Sequence, residues 1–144
     1  MRSPKTFALV VATLVVAIGA SAQTDSITES DAQAIRSVIE AQLAAFSADD
    51  AEKAFSYASE GIRKTFGSPE SFMAMVKTSY PVVYRPATVL FLEPMKVDDE
   101  IVQGVQMADD VDRLWLALYR MQRQPDHSWR IGGCLLERLD GTRS

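Results

Sequence analysis

Apolar residues recur at helical spacing through the first third of the chain. The repeat consists of Ile35, Val38, Ile39, Leu43 and Phe46. Steps of three and four residues place such side chains along one face of an α-helix. Thr28, followed three residues later by Asp31, is a variant of the capping box that marks a helix start. The pattern therefore predicts a long helix after Thr28 that buries one face.

Two shorter helices are expected before the apolar spacing changes. The polar run 47–50 interrupts the first helix, and either of its aspartates can cap a second helix from Ala51 to about Ala58. Ser68 suits the cap of a third helix and Pro69 its first position. Pro81 ends that helix. The amino-terminal half is therefore predicted to be helical.

From Ala87 onward the pattern becomes extended, with runs rich in β-branched, leucine and aromatic residues between polar turns. Four strands are predicted, over Thr88–Leu92, Ile101–Ala108, Leu114–Gln122 and Trp129–Leu136. Connections this short require antiparallel neighbours. The fold class is therefore α+β, with a curved four-stranded antiparallel sheet wrapped around the amino-terminal helices.

The third predicted strand is apolar on both faces. Leu114, Leu116 and Leu118 alternate with Trp115, Ala117, Tyr119 and Met121. One face must meet the helices. The other is too apolar to lie open to water, so we expect sheet curvature, a partner chain or a pocket to cover it.

The first 22 residues form a predicted signal peptide. Arg2 and Lys5 precede an apolar run from Phe7 to Ile18, and Ala20-Ser21-Ala22 supplies the small residues at which a signal peptidase cleaves. Cleavage after Ala22 predicts a periplasmic or secreted protein with no membrane span. The remainder divides into a flexible lead (23–29), one α+β domain (30–139) and a short tail (140–144).

Composition narrows the possible chemistry. The net charge of −4 leaves no basic surplus for nucleic acid. One Cys and one His exclude a disulfide framework and a zinc site built from Cys and His within one chain. The run Asp109-Asp110-x-Asp112 lacks the Gly and Glu of a calcium loop. No metal, cofactor or catalytic residue is assigned, and Cys134 is expected to be buried and inert.

Five aromatic residues are the candidates for a ligand pocket. Tyr80 and Tyr84 lie in the proline-flanked connector YPVVYRP, and Trp115, Tyr119 and Trp129 lie on the last two strands. Rigid aromatic connectors often shape pocket mouths. The alternatives are structural: the tyrosines pack over the end of the sheet and the tryptophans belong to the core.

Three sequence blocks together carry a family resemblance. They are "VIEAQLAAFSADDAEKAF" with "TFGSPESF", then "YPVVYRP", then "WLALYRMQRQPDHSWRIGGC". Over Ser30 to Cys134 the chain resembles a bacterial family catalogued as domain of unknown function 4864. Members look like the nuclear-transport-factor-two-like, or SnoaL-like, superfamily. The resemblance implies a cone in which helices fill the concave side of the sheet around a pocket, and it implies no activity.

Three hypotheses for function follow. The first is non-catalytic binding of a small apolar or amphipathic ligand in the cone, near the five aromatic residues. The second is an interaction module that forms a homodimer through the sheet or docks an envelope partner. The third is a lyase or isomerase that uses pocket Tyr and Asp side chains, and it requires a carboxylate inside the cone.

Overall fold

A computed structural model describes residues 27–139, so the predicted signal peptide (1–22) and tail (140–144) lie outside the described residues. Five helices come first: α1 (Glu29–Ser47), α2 (Ala51–Ser56), α3 (Glu60–Phe66), α4 (Pro69–Ser79) and α5 (Pro81–Tyr84). Five strands follow: β1 (Thr88–Phe91), β2 (Met95–Val97), β3 (Glu100–Ala108), β4 (Leu114–Arg123) and β5 (Trp129–Arg138). The α+β class is confirmed. Between residues 27 and 139, no helix is both long and apolar enough to cross a membrane.

The predicted helix starts are confirmed by their caps. The Thr28 hydroxyl accepts the backbone N–H of Asp31 at 3.0 Å, Asp50 caps α2 and Ser68 caps α4. These side chains satisfy backbone donors that a helix leaves without partners at its start. Pro69 occupies the first turn of α4, where its missing N–H costs nothing.

Two helices were not predicted. Helix α3 is capped by Ser59 and ends at Gly67, whose φ of 76° is a left-handed conformation that glycine adopts without strain. None of its residues is fully buried. The proline-flanked connector from Tyr80 to Pro86 contains the short helix α5, formed by Pro81–Tyr84. Pro81 fits its first turn and therefore starts a helix as well as ending one.

The sheet is open and antiparallel, with strand order β1-β3-β4-β5 and β2 paired to β3. The predicted count of four strands misses β2, which pairs Met95–Val97 with Glu100–Val102 across a two-residue turn. Three residues that include a lysine carry too little alternation to indicate a strand. The other four strands start and end within two residues of their predicted limits. The nuclear-transport-factor-two-like cone stays a prediction.

The strand register separates a helix-facing side from an outer side. Ala117, Tyr119 and Met121 of β4 point toward the helices and are all buried. They pack with the predicted face of α1, where Ile35 and Ile39 are fully buried. One apolar side of the third predicted strand therefore forms the core, as the alternation requires.

The outer side of the sheet exposes an apolar surface. Leu90, Met95 and Leu135 each expose more than half of their accessible area. We call the outer-face patch the group of Leu90, Met95, Val97, Val102, Leu114, Leu116, Leu118 and Leu135. Contiguous apolar surface of this kind is uncommon on monomeric proteins.

A β-bulge interrupts the pairing of β4 with β5 beside Gly132 and Gly133. The register shifts between Arg120 and Met121. Arg120 donates to the carbonyl oxygen of Gly132 at 3.1 Å, and a Cβ built on Gly133 would lie 2.7 Å from the Arg120 guanidinium. Because both residues are glycines, the sheet carries no side chain from β5 at this point.

Candidate ligand cavity

A cavity of about 780 Å³ opens between helices α3 and α4 and the edge strand β5. From the helices it is lined by Gln42, Phe46, Ile62, Phe66, Phe72, Met75 and Val76. From the sheet it is lined by Tyr119, Ile131, Gly132, Gly133 and Cys134. Its lining continues onto Leu118 and Arg120 of the outer side, beside the glycine bulge. The volume falls within the ~300–1,000 Å³ of small-molecule sites.

Four phenylalanines form a cluster on the helical side of the cavity, and three of them, Phe46, Phe66 and Phe72, line it. Phe72 of α4 lies at their centre, and its ring centroid is 5.9 Å from Phe46, 5.6 Å from Phe55 and 5.7 Å from Phe66. Tilted and edge-on contacts at these distances are favourable for aromatic rings. The cluster joins α1, α2, α3 and α4, so the shape of the cavity depends on Phe72.

The lining contains few groups that can carry charge. Among the described residues that line the cavity, the titratable ones are Tyr80, Tyr119, Arg120 and Cys134. None of the lining residues is Asp, Glu, Lys or His. A lyase or isomerase of the kind considered above needs a carboxylate there as a general base, so this lining does not supply that chemistry.

Tyr119 lines the cavity, and its hydroxyl oxygen is buried. Its side chain is 1% exposed, and the hydroxyl has no hydrogen-bond partner among the described residues. On the neighbouring strands it lies opposite Gln103 and Cys134. The Gln103 amide nitrogen already donates to the carbonyl oxygens of Leu92 and Gly104, at 2.7 and 2.8 Å.

Burial keeps both titratable groups of this strand pair neutral. Burial raises the pKa of the Tyr119 phenol well above its usual value, and the neighbouring Cys134 adds to the rise. Burial also raises the pKa of the Cys134 thiol to about 12. A reactive cysteine needs a lowered pKa and nearby positive charge. The prediction that Cys134 is inert therefore agrees with its surroundings, although the residue is partly exposed.

The structure brings two of the five candidate residues together at the cavity. Tyr80 and Tyr119 both line it, whereas Tyr84 does not. The Tyr84 hydroxyl donates to Asp49, a carboxylate that also lies near Lys77 and Arg85. These contacts lower the pKa of the Asp49 carboxyl, the Tyr84 hydrogen bond contributing most. Tyr84 thus fastens α5 to the turn after α1.

Trp115, near the start of β4, is hydrogen-bonded to the turn between β3 and β4. Its indole N–H donates to the Asp109 carboxylate at 3.0 Å. Asp109 also accepts the Arg113 guanidinium at 2.7 Å and the backbone N–H of Val111. Trp115 and Tyr80 both line a second cavity of about 660 Å³ beside this turn. The Asp109 carboxylate therefore holds the turn through these hydrogen bonds. Within residues 27–139, Asp109 is part of no group of side chains that could hold a metal ion.

Trp129 lies at the opposite end of the sheet from Trp115. It is buried, and the Arg123 guanidinium lies 5.0 Å from its ring centroid. Arg123 in turn pairs with Asp31 of α1 at 2.5 Å. Trp129 borders a polar cavity of about 560 Å³ and does not line the main one. The burial of Trp129 agrees with the alternative interpretation, in which the tryptophan belongs to the core.

Several lining residues were not among the candidates. Ile62 and Phe66 lie on the unpredicted α3, and its cap Ser59 and terminal Gly67 were the available signals for that helix. Gln42 is 3% exposed and donates its amide to the carbonyl oxygen of Ala54 at 3.1 Å. A polar residue beside the apolar stripe of a helix does not by itself indicate a cavity.

Comparison with known proteins gives one match. A family model described as domain of unknown function (DUF4864) matches residues 28–143. Searches among curated proteins and among solved structures gave no match.

Proposed function

For this chain, which belongs to the domain of unknown function (DUF4864) family, we propose a non-catalytic role in binding a small, largely apolar ligand. The observation that carries the proposal is the cavity of about 780 Å³ between α3, α4 and β5. Its wall is mostly aliphatic and aromatic, and its polar side chains are those of Gln42, Ser79, Tyr80, Tyr119 and Arg120. Sites for small ligands commonly have this composition.

Filling the cavity is the direct test. Met75 of α4 lines the cavity and is partly exposed, so a larger side chain there can enter the cavity without disturbing the core. We expect Met75→Trp to weaken binding of the neutral dye Nile red by about tenfold, equivalent to about 1.4 kcal/mol. Fluorescence titration of the dye measures this change.

Met95→Trp is the matched control. Met95 is 56% exposed on the outer-face patch and does not line the cavity. The control variant should bind Nile red as the wild type does. If the wild type fails to bind the dye, or if Met95→Trp alone changes the affinity, the cavity is not the binding site.

The proposal includes a cone-shaped fold and export from the cytoplasm. The cone is supported by the element order, with helices preceding an antiparallel sheet and packing on one of its sides. It would place the chain in the nuclear-transport-factor-two-like, or SnoaL-like, superfamily. Export to the periplasm or medium is supported by the sequence features of residues 1–22, with cleavage after Ala22.

A second candidate function is association of two copies through the outer-face patch. Its support is the exposure of Leu90 on β1 and Leu135 on β5, each 57% accessible, on either side of the outward apolar residues of β3 and β4. A two-fold interface pairs the same surface on both chains, and an apolar sheet surface can meet itself in this way. Arg120 and Glu100 pair 3.7 Å apart at the border of the patch, which supplies a polar rim.

Sedimentation analysis tests the second candidate function by measuring the mass of the protein in solution. We expect a dimer mass for the wild type and a monomer mass for Leu90→Asp, because a carboxylate within the interface would be buried without a partner. Val111→Asp is the control, since Val111 is 61% exposed in the turn between β3 and β4. A monomer mass for the wild type over the whole concentration series would eliminate the dimer.

A further inference from the structure

The second cavity, of about 660 Å³, adjoins the candidate ligand cavity and differs from it in charge. Both cavities are lined by Ser79 and Tyr80 at the end of α4 and by Leu135 of β5. Because they share these residues, the two cavities lie side by side next to the edge strand. The first is mostly apolar, whereas the second has Arg85 and Arg113 in its lining. A ligand that spans the shared residues would meet apolar groups at one end and guanidinium groups at the other.

Arg113 has donors that the fold does not use. Its Nε donates to the Asp109 carboxylate at 2.7 Å, and its two Nη atoms form no hydrogen bond with the described residues. The side chain is about half exposed, so water and small molecules reach these atoms. The Nη edge of a guanidinium can bind both oxygens of a carboxylate through two parallel hydrogen bonds. Arg113 can therefore hold Asp109 and a ligand carboxylate at the same time.

Asp109 has other donors besides the Arg113 guanidinium. Its carboxylate accepts the backbone N–H groups of Val111 and Arg113 and the indole N–H of Trp115, at 2.9 to 3.1 Å. N–H dipoles that point at a carboxylate reduce the negative potential around it. Asp109 therefore repels a nearby anion less than a carboxylate without such donors would.

Arg85 supplies a second cation to the same cavity. Its Nη2 lies 3.2 Å from the Asp49 carboxylate, and Nζ of Lys77 lies 3.3 Å from the same group. One carboxylate is thus shared by two cations, and positive charge is in surplus near α5. Asp110 also lines the cavity, but it is exposed to water, which weakens its interactions with other charges. The net charge of the chain is −4, so this positive surplus is a local feature.

We propose that the two cavities together bind a long-chain carboxylate, with the hydrocarbon chain in the first cavity and the carboxylate hydrogen-bonded to Arg113, beside Arg85, in the second. This inference rests on the proposed function and names the chemical class of the ligand. Burial favours the apolar chain, whereas a charged group without partners is costly to bury. The carboxylate therefore stays at the half-exposed arginines. Arg120, the charged residue of the first cavity, already contacts the Gly132 carbonyl oxygen and Glu100.

Displacement of Nile red by two probes of equal chain length tests the proposal. Dodecanoate carries a carboxylate, and dodecanol has a hydroxyl group in its place. We expect Arg113→Gln to weaken the binding of dodecanoate by about tenfold, the lower end of the range for hydrogen bonds to charged groups, and to leave dodecanol binding unchanged. Arg85→Gln should weaken dodecanoate binding by a smaller factor, because it acts through charge alone. Added sodium chloride should weaken the binding of dodecanoate only.

Arg36→Gln is the matched control, because it removes the same charge from a side chain of α1 that lines neither cavity. It should bind both probes as the wild type does. Met75→Trp should weaken the binding of both probes, since the hydrocarbon chain is placed in the first cavity. An unchanged dodecanoate affinity in Met75→Trp would show that the chain binds elsewhere, and it would overturn the proposal.

The remaining outcomes separate the carboxylate assignment from the cavity function. If dodecanol binds the wild type and Arg113→Gln leaves the dodecanoate affinity unchanged, the assignment is wrong and the cavity function stands. The same conclusion follows if Arg120→Gln, and not Arg113→Gln, causes the loss. If Arg113→Gln loses both probes, the turn itself is disturbed, and Arg85→Gln decides: a selective loss of dodecanoate supports the assignment, and its absence contradicts it. If no probe binds the wild type, the cavity function fails, and the assignment fails with it.

Discussion

Replacing Phe72 with alanine is expected to destabilise the protein by about 3–5 kcal/mol, the range for truncating a buried phenylalanine. Phe72 is 5% exposed and contacts three other phenylalanine rings from three different helices. Its loss would remove these contacts and leave a void beside the existing cavity. Domains of this size are stable by about 5–15 kcal/mol. Urea unfolding of the variant against the wild type measures the difference.

Phe91→Ala provides the comparison. Phe91 lies at the end of β1, is partly exposed and contacts the Arg36 guanidinium outside the phenylalanine cluster. We expect its truncation to cost about 1 kcal/mol, within the usual range for such positions. Equal losses for the two variants would mean that Phe72 is not the centre of the helical packing.

Trp129→Ala is the second variant for which a large loss is expected, again about 3–5 kcal/mol. Trp129 is 7% exposed at the start of β5, and Arg123 lies over its ring at 5.0 Å. Arg123 also holds the Asp31 carboxylate at the start of α1. Removing the indole therefore removes the contact between Trp129 and the Arg123 guanidinium. We expect this to weaken the ion pair between Arg123 and Asp31, which connects the sheet to α1. Thermal unfolding followed by circular dichroism reports the loss.

His127→Ala is the control for Trp129, two residues away in the same hairpin. His127 is exposed in the turn with φ of 69°. Alanine and histidine both carry a Cβ, so a left-handed backbone is unfavourable for both. We therefore expect the free energy of unfolding to change by no more than about 0.5 kcal/mol. A larger loss at His127 than at Trp129 would contradict the placement of both residues.

The parts of the fold that follow from local physics were predictable. The caps at Thr28 and Ser68 and the alternation of β4 depend on neighbouring residues, so they can be recognised in the sequence. The strand β2 and the helix α5 could not be recognised in this way. Met95–Val97 is a strand because β3 lies beside it, and Pro81–Tyr84 is too short for an apolar period.

The cavity depends on contacts between distant residues, and the sequence predicted it only in part. Tyr119 was identified because it lies on the strand that is apolar on both sides. Trp115 alternates on the same side of β4, yet its indole donates a hydrogen bond of 3.0 Å to Asp109 in the turn that precedes β4. Alternation gives the side of a sheet that a residue faces. Alternation does not show which positions along the strand lie opposite the helices, and therefore which residues line the cavity.

Helix α3 forms one wall of the cavity although none of its residues is fully buried. A segment with so little buried surface opens locally at a lower free energy than the rest of a domain. A ligand bound in the cavity as we propose is therefore expected to exchange most readily through this seven-residue wall. On that proposal, one short helix would set the rate of ligand entry, and the buried residues of the sheet would contribute more to the affinity.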